Sequence, residues 1–158
     1  MLRLSDLKLP LGHPPEDLRA AVLARLELQD AELLSLAIAR RAESFGLGIA
    51  YHNRRPVEGV AYPYHPTLVD LARAVDTLMV VAPGGAATYH AVNAEVLAAL
   101  GADGILINIG RGSVVDEAAL VAALDAGTIA SAGLDVYETE PCWPKALAAH
   151  ERVVLLPH

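Results

Sequence analysis

The chain has 158 residues, which is long enough for one domain with a well-buried core. Hydrophobic residues make up 54% of it and the net charge is −7, a balance that favours a helix-covered sheet and argues against a nucleic-acid partner. The single cysteine, Cys142, excludes an intramolecular disulfide, and no apolar run reaches the roughly 18 residues of a membrane-spanning helix. Met1 begins no signal-like segment. We therefore predict a soluble, cytoplasmic protein that binds neither nucleic acid nor membrane.

The opening of the chain predicts a strand followed by two helices. Residues 2–9 alternate imperfectly between apolar and polar, which indicates a strand with one exposed face. Pro15 starts a helix that runs to about residue 28, and a second helix is predicted over 31–45 with Gly46 as its stop. The stretch LRLSDLKLPLGHPPEDLRAAVLARLEL resembles the N-terminal segment of some FAD-dependent oxidoreductases, although it brings no cofactor motif with it.

From Gly48 onward, apolar runs of strand length alternate with helical patterns. Thr67 and Asn93 are suited to cap two of the helices, and Gly101 follows the end of the second. Alternation with short connections is typical of a doubly wound parallel α/β sheet, which is the fold class that we predict. The predicted strands are 48–53, 77–81, 104–109, 130–136 and 153–156, and the predicted helices are 68–74, 94–100 and 116–125.

Ionisable residues follow three of the predicted strands. Arg111 follows 104–109, Asp135 and Glu140 lie at and beyond the end of 130–136, and His158 follows 153–156. In open parallel sheets, ligands bind beyond the carboxyl ends of the strands. A guanidinium, two carboxylates and an imidazole at that edge predict acid–base chemistry on an anionic substrate, and the pattern predicts no metal site.

Three motifs in this region resemble those of one enzyme family. They are NIGRGSVVD at 108–116, GLDVYETEP at 133–141 and LLPH at 155–158. Their order and spacing are similar to those of the D-isomer-specific 2-hydroxyacid dehydrogenases, most closely the glyoxylate/hydroxypyruvate reductase branch. The resemblance covers about 37–158. It implies a Rossmann-like NAD(P)-binding domain there, a segment foreign to the family over 1–36, and no second, substrate-binding domain within the chain.

The resemblance also implies hydride transfer between a nicotinamide cofactor and a small 2-oxo or 2-hydroxy acid. In that reaction Arg111 would bind the substrate carboxylate, His158 would transfer the proton, and Glu140 would support the histidine. Asp135 would lie near the nicotinamide carboxamide. Structural alternatives stay open, with Arg111 as an ordinary loop arginine and Glu140 as a loop cap. Further cofactor contacts are implied for Pro83, Gly84, Ile109 and Gly110.

The end of the predicted strand 48–53 bears on the choice of cofactor. In a dinucleotide fold an acidic residue there holds the ribose 2′-hydroxyl, whereas arginine accommodates a 2′-phosphate. This chain has Asn53, Arg54 and Arg55 and no acidic residue at that point. The residues favour NADP over NAD, and the alternative is a solvated basic turn.

The sequence departs from the family at its glycine-rich turn, G-x-G-x-x-G. Residues 30–36 read DAELLSL where the family has its central strand and that turn, and no glycine occurs between Gly12 and Gly46. The turn normally brings the backbone close to the cofactor pyrophosphate. Without the central strand, we predict that the strands at Ile49 and Ile105 each lose a neighbour. Residues 2–9, which carry charges, fit a sheet edge better than the gap.

Three functional readings therefore stay open. They are an NADP-linked dehydrogenase with impaired turnover, a non-catalytic dinucleotide-fold module, and a flavin-linked protein. An apolar face left uncovered would favour a homodimer. Of the remaining polar residues near the motifs, His90 is predicted to lie on a helix surface and Glu138 to be solvated.

Overall fold

The computed structural model describes Ala39, residues 41–142 and residues 144–157. The chain divides into two compact units, Met1–Leu47 and Gly48–His158. The predictions for 2–9, for 15–28 and for most of the helix over 31–45 lie outside the described residues, as do His158 and the question of whether 2–9 fills the sheet.

The described part of the first unit is the end of a helix, with helical residues 41–44. Gly46 has a φ of 79°, its N–H donates to the Glu43 carbonyl at 2.8 Å, and the Leu47 N–H donates to the Ala42 carbonyl at 3.3 Å. This pair of bonds is the Schellman pattern, in which glycine adopts the left-handed conformation without a Cβ penalty. The predicted stop at Gly46 is confirmed.

The second unit contains a sheet of four parallel strands. They are β1 (Thr77–Val80), β2 (Ile105–Asn108), β3 (Ser131–Leu134) and β4 (Val153–Leu155), and they pair in the order β1-β2-β3-β4. Val80 lies opposite Asn108, Asn108 opposite Leu134, and Leu134 opposite Leu155, so the carboxyl ends are aligned along one edge. The predicted parallel α/β class is confirmed, as an incomplete doubly wound sheet.

Four α-helices and one 3-10 turn accompany the sheet in the described residues. The side chains of Thr67, Asn93 and Asp116 accept backbone N–H bonds at the starts of the first three helices, and Gly101, at a φ of 85°, ends the second. These caps fix the predicted boundaries to within a residue. The helices are α1 (Leu68–Ala74), α2 (Ala94–Leu100), α3 (Glu117–Asp125) and α4 (Lys145–Ala148), and the 3-10 turn is Gly112–Val114.

One face of the sheet forms the core. α1 packs against α2 and α2 against α3, and their leucines cover alternate residues of the strands. The other face is more open, since Met79 is 40% exposed and Val154 64% exposed. The largest fully buried side chains include Leu97, Leu106, Leu120, Leu124, Ile129 and Leu134.

The predicted strand over 48–53 is wrong. Among the described residues this segment makes one parallel bridge, between Tyr51 and Tyr64, and no ladder. The Tyr51 N–H donates to the Pro63 carbonyl at 2.9 Å, and the His65 N–H donates to the Tyr51 carbonyl at 2.8 Å. Because proline has no N–H, Pro63 cannot donate to extend the bridge toward Ile49.

The predicted loss of a neighbour at Ile105 is also wrong. β2 pairs with β1 on one side and with β3 on the other. β1, which precedes β2 in the chain, occupies the outer position that the prediction gave to β2. Among the described strands, β1 is therefore paired on one side only.

Candidate active site at the carboxyl edge of the sheet

Three loops meet at the edge where the strands end. The β1 loop (81–93) follows β1, the arginine loop (109–116) follows β2, and the carboxylate loop (135–140) follows β3. They carry most of the predicted site residues. Their packing against one another depends on a buried asparagine and two glycines.

Asn108 shapes the arginine loop from the end of β2. Its side chain is 1% exposed, its Oδ1 accepts the Gly110 N–H at 3.1 Å, and its Nδ2 donates to the Arg111 carbonyl at 3.1 Å. A buried amide needs partners for both of its ends, and here the loop provides both. The sequence interpretation counted Asn108 within an apolar run. A polar residue near the end of such a run, two positions before a glycine, is the pattern that indicates this role.

Gly110 and Gly112 allow the arginine loop to touch both neighbouring loops. A Cβ at Gly110 would lie 2.7 Å from the Ala82 carbonyl oxygen, and one at Gly112 would lie 1.8 Å from the Tyr137 carbonyl oxygen. The obstructing atoms are backbone, so they cannot rotate away. Close approach, and not an unusual φ angle, is the reason for glycine at both positions.

Arg111 leaves this packed loop toward solvent. Its Nη1 donates to the Gly110 carbonyl at 2.7 Å, and its Cγ would lie 3.2 Å from a Cβ at Gly84, so the side chain runs along the β1 loop. The β1 loop is closed there by a 2.7 Å bond from the Thr88 hydroxyl to the Pro83 carbonyl. Within the described residues the Arg111 guanidinium forms no ion pair. It therefore keeps donors for an anion.

The carboxylate loop is held at several points. The Asp135 N–H donates to the Asn108 carbonyl at 3.0 Å, and the Tyr137 N–H donates to Glu140 Oε1 at 2.9 Å. The Glu138 N–H donates to Glu117 Oε1 at 2.7 Å. Burial raises the pKa of the Tyr137 phenol, and the charges of Asp135 and Glu140 raise it further. The phenol therefore stays protonated and able to donate.

The segment that leads to His158 lies beside this loop. The Tyr137 hydroxyl donates to the Leu156 carbonyl, and the Leu156 N–H donates to the Leu134 carbonyl at 2.9 Å. The described chain ends one residue later, at Pro157. The contact between His158 and Glu140 that the resemblance implies therefore lies outside the described residues.

The predictions for His90 and Glu138 are wrong. His90 lies in the β1 loop, not on a helix, and its Nε2 is 2.5 Å from Glu138 Oε1. Both side chains are about three-quarters buried, at 28% and 25% exposed, so Glu138 is not a solvated residue. The two residues are 48 positions apart, and only the pairing of β1, β2 and β3 brings their loops together.

The basic pair Arg54 and Arg55 lies on another loop, with both side chains exposed. Asn53 Oδ1 accepts the Arg54 N–H at 2.8 Å, and the Tyr64 hydroxyl donates to the Asn53 carbonyl at 3.0 Å. In the described part of the chain neither arginine forms an ion pair, and no hydrogen bond joins this loop to the three loops at the sheet edge.

The opposite edge of the sheet has a hollow of its own. It has a volume of about 270 Å³ and is lined by residues 73–76 and 100–104, which precede β1 and β2. Because it lies at the amino ends of the strands, it is separate from the three loops. Across the residues that the structure describes, no three His, Cys, Asp or Glu side chains are placed to hold a metal ion. No described helix is long and apolar enough to cross a membrane.

Comparison with known families agrees with the fold. Residues 34–158 match the model of the D-isomer specific 2-hydroxyacid dehydrogenase, NAD binding domain. The chain therefore belongs to this dehydrogenase family.

Individual relatives fall within the reductase branch. Glyoxylate/hydroxypyruvate reductase A of Arabidopsis thaliana is 50% identical over 125 residues, which are 79% of this chain and 40% of the relative. Hydroxyphenylpyruvate reductase of Plectranthus scutellarioides is 48% identical over 125 residues, with the same 79% and 40% coverage. The chain thus spans about 40% of the length of these relatives.

A solved structure gives a similar result. The NADPH-dependent glyoxylate/hydroxypyruvate reductase of Sinorhizobium meliloti, in complex with NADP and malonate, is 65% identical with a TM-score of 0.76. The match covers 78% of this chain and 39% of that one.

Proposed function

We propose that the chain carries the cofactor-binding part of an NADP(H)-dependent reductase for small 2-oxo acids such as glyoxylate or hydroxypyruvate. The observation that supports this most is the contact of the arginine loop with the Tyr137–Glu138 peptide through Gly112. The contact joins the loop that carries Arg111 to the loop that carries Glu140. The 65% identity to an NADPH-dependent glyoxylate/hydroxypyruvate reductase supports the same reaction class.

The substrate side of this proposal rests on Arg111, Glu140 and His158. A planar guanidinium binds a carboxylate through two parallel hydrogen bonds, which lysine cannot do, so Arg111 would hold the 2-oxo acid. An imidazole titrates near neutral pH and suits proton transfer to the developing hydroxyl group, which is the role proposed for His158. Glu140 would orient that imidazole and stabilise its cationic form.

The cofactor side rests on residues of three loops. Bound nicotinamide dinucleotide would supply the hydride. Arg54 and Arg55 would hold its 2′-phosphate, because both are exposed and neither is paired with an acid in the described residues. Asp135 would face the nicotinamide carboxamide. Asn53, Pro83, Gly84, Ile109 and Gly110 complete the proposed cofactor contacts.

The limits of this unit are also a proposal. We place the NAD(P)-binding unit at 37–158 and the segment foreign to the family at 1–36, although the family match begins slightly earlier, at residue 34. The other half of the cleft, which closes over the substrate, would not come from these 158 residues. We further propose a cytoplasmic location and a homodimeric assembly.

A second candidate function is a dinucleotide-binding module without turnover. The sequence has no G-x-G-x-x-G anywhere, and this is the observation that favours the second candidate. Such a turn brings the backbone to the pyrophosphate at a helix N-terminus. A chain without it would bind NADPH mainly through the 2′-phosphate and the nicotinamide ends.

The proposal is tested by titrating the 158-residue chain with NADPH and following the fluorescence of the cofactor. We expect Arg54→Ala and Arg55→Ala each to weaken NADPH binding about tenfold, since each removes charge-assisted bonds to the 2′-phosphate. Binding of NADH should not change. Arg73→Ala is the matched control, because Arg73 is an exposed arginine on α1 that pairs with Asp70.

Equal NADPH affinity in wild type and in both variants would overturn the NADP assignment. A glyoxylate reduction assay on the same samples separates the two candidate functions. NADPH oxidation that depends on glyoxylate and is lost in Arg111→Lys supports the reductase. Binding of NADPH with no oxidation supports the non-catalytic module.

A further inference from the structure

His90 occupies an unusual place in the β1 loop. Its φ of 50° makes it the one non-glycine residue with a left-handed backbone among those described. That conformation is unfavourable for a residue with a Cβ, and it persists where surrounding contacts enforce it. Its ring stacks on that of Tyr89, with centroids 3.9 Å apart and planes 14° apart.

The side chain of His90 binds the carboxylate loop. An ionised carboxylate can only accept hydrogen bonds, so the 2.5 Å contact has the imidazole Nε2–H donating to Glu138 Oε1. The Tyr89 hydroxyl lies 3.5 Å from the same oxygen. On the other side of the ring, Nδ1 is 3.7 Å from Asp116 Oδ2, which is too long for a hydrogen bond.

The backbone of the same segment binds the arginine loop. The His90 N–H donates to the Ser113 carbonyl at 2.9 Å, and Val92 pairs with Val115 in a parallel bridge. His90 is thus attached to the loop of Arg111 by its main chain and to the loop of Glu140 by its side chain. Glu117, at the start of α3, holds the opposite side of the carboxylate loop through the Glu138 N–H.

We propose that His90 is a positioning residue: through Glu138 it fixes the carboxylate loop, and Glu140 with it, against the arginine loop. The inference rests on the proposed function for the roles of Arg111 and Glu140. The contacts that carry it are independent of those roles.

The test is amide hydrogen exchange of the purified 158-residue chain. The reporters are the N–H groups of Tyr137 and Glu138, which are held by the carboxylates of Glu140 and Glu117. His90→Asn shortens the side chain and suits a left-handed backbone, so it removes the contact without adding strain. Glu138→Ala removes the acceptor and leaves the backbone of His90 unchanged.

We expect each variant to speed exchange over 135–140 about tenfold, the effect of losing one partly exposed charge-assisted bond. Because both changes break the same contact, the double variant should exchange no faster than either single variant. His90→Gln, whose amide nitrogen can still donate to Glu138, should restore slow exchange. Glu95→Ala, which removes an exposed carboxylate on α2, is the matched control and should not affect this loop.

Three results would overturn the positioning role. One is unchanged exchange in both single variants. Another is faster exchange that spreads into β2 and β3, which would indicate general destabilisation. The third is a His90→Gln variant that exchanges as fast as His90→Asn.

Titration of the same wild-type sample with NADPH separates this inference from the proposed function. A wild-type chain that does not bind NADPH overturns the proposed function, while the exchange rates still decide the role of His90. If the wild-type chain binds NADPH and exchange is unchanged in the variants, the proposed cofactor binding stands and the positioning role of His90 is overturned.

Discussion

Gly112 has no side chain, and this allows the backbone of the arginine loop to pack directly against that of the carboxylate loop. A methyl group there would lie 1.8 Å from the Tyr137 oxygen and 1.9 Å from the Tyr137 carbonyl carbon. Since those atoms belong to the backbone, relief requires the two loops to move apart. The consequence would reach Arg111 and Glu140 together.

We predict that Gly112→Ala lowers the free energy of unfolding by about 3 kcal/mol, at the upper end of the usual cost of overpacking. Urea unfolding followed by circular dichroism measures it. Gly133→Ala is the matched control, because a Cβ at Gly133 would meet Ile107 at an ordinary 4.0 Å. Equal stability of the two variants would contradict the close approach described at Gly112.

Single residues also show where the sequence was and was not informative about the site. The positions of Arg111, Asp135 and Glu140 followed from the ends of apolar runs, because parallel strands present those ends at one edge. The contact of His90 with Glu138 did not follow, since it depends on the alignment of three strands and on a left-handed backbone at one histidine. Neither feature has a local pattern.

At the level of secondary-structure elements, the helix caps were the most informative sequence signals for element boundaries. Thr67, Asn93 and Asp116 accept backbone N–H groups at the predicted helix starts, because side-chain caps act within a few residues of the chain. The strand predicted over 48–53 did not form because a strand requires a neighbour that supplies N–H groups, and Pro63 in its local partner has none to extend the bridge. α4, with only four residues and no side-chain cap, was not predicted.

α3 connects to the carboxylate loop through its first residue, Glu117. Burial raises the pKa of this carboxyl, while the Glu138 N–H lowers it and the Glu138 charge raises it. The folded chain therefore binds a proton at Glu117 more tightly than the unfolded chain does. Stability from this group is fully present below the ordinary pKa of 4.5, and it is lost as the pH rises through the higher, folded pKa.

We predict that Glu117→Gln keeps the acceptor for the Glu138 N–H and removes this pH dependence. At pH 7 the variant should be more stable than wild type, by at most about 1 kcal/mol, since solvent screens the partly exposed charge. Below pH 4.5 its advantage should vanish. Thermal unfolding at a series of pH values measures the difference, and Glu117→Ala, which lacks the acceptor, should be less stable than both at pH 7. A constant difference between Gln and wild type at every pH would refute it.

At the scale of the whole molecule, the more open face of the sheet bears on assembly. Met79, Ile105 and Val154 lie on it and are each more than a third exposed. Apolar side chains grouped on one surface favour association.

We expect the chain to sediment as a dimer at micromolar concentration and Val154→Lys to shift it toward the monomer, because a buried, unpaired ammonium is costly. Sedimentation velocity measures the change. Ala98→Lys, on the exposed side of α2, is the control that should leave the dimer intact. A wild-type chain that is monomeric at every concentration would refute the proposed homodimer.

The order of the strands also determines when the site is completed during synthesis. Each strand lies beside the one translated just before it, so the sheet can grow in the direction in which the ribosome releases the chain. The Leu156 carbonyl, which accepts the hydrogen bond of the Tyr137 hydroxyl, is translated 19 residues after Tyr137. Until β4 joins, a nascent chain has the sheet core and the arginine loop but lacks the last anchor of the carboxylate loop. The anchor at Leu156 is therefore added after the other contacts of this edge have been translated.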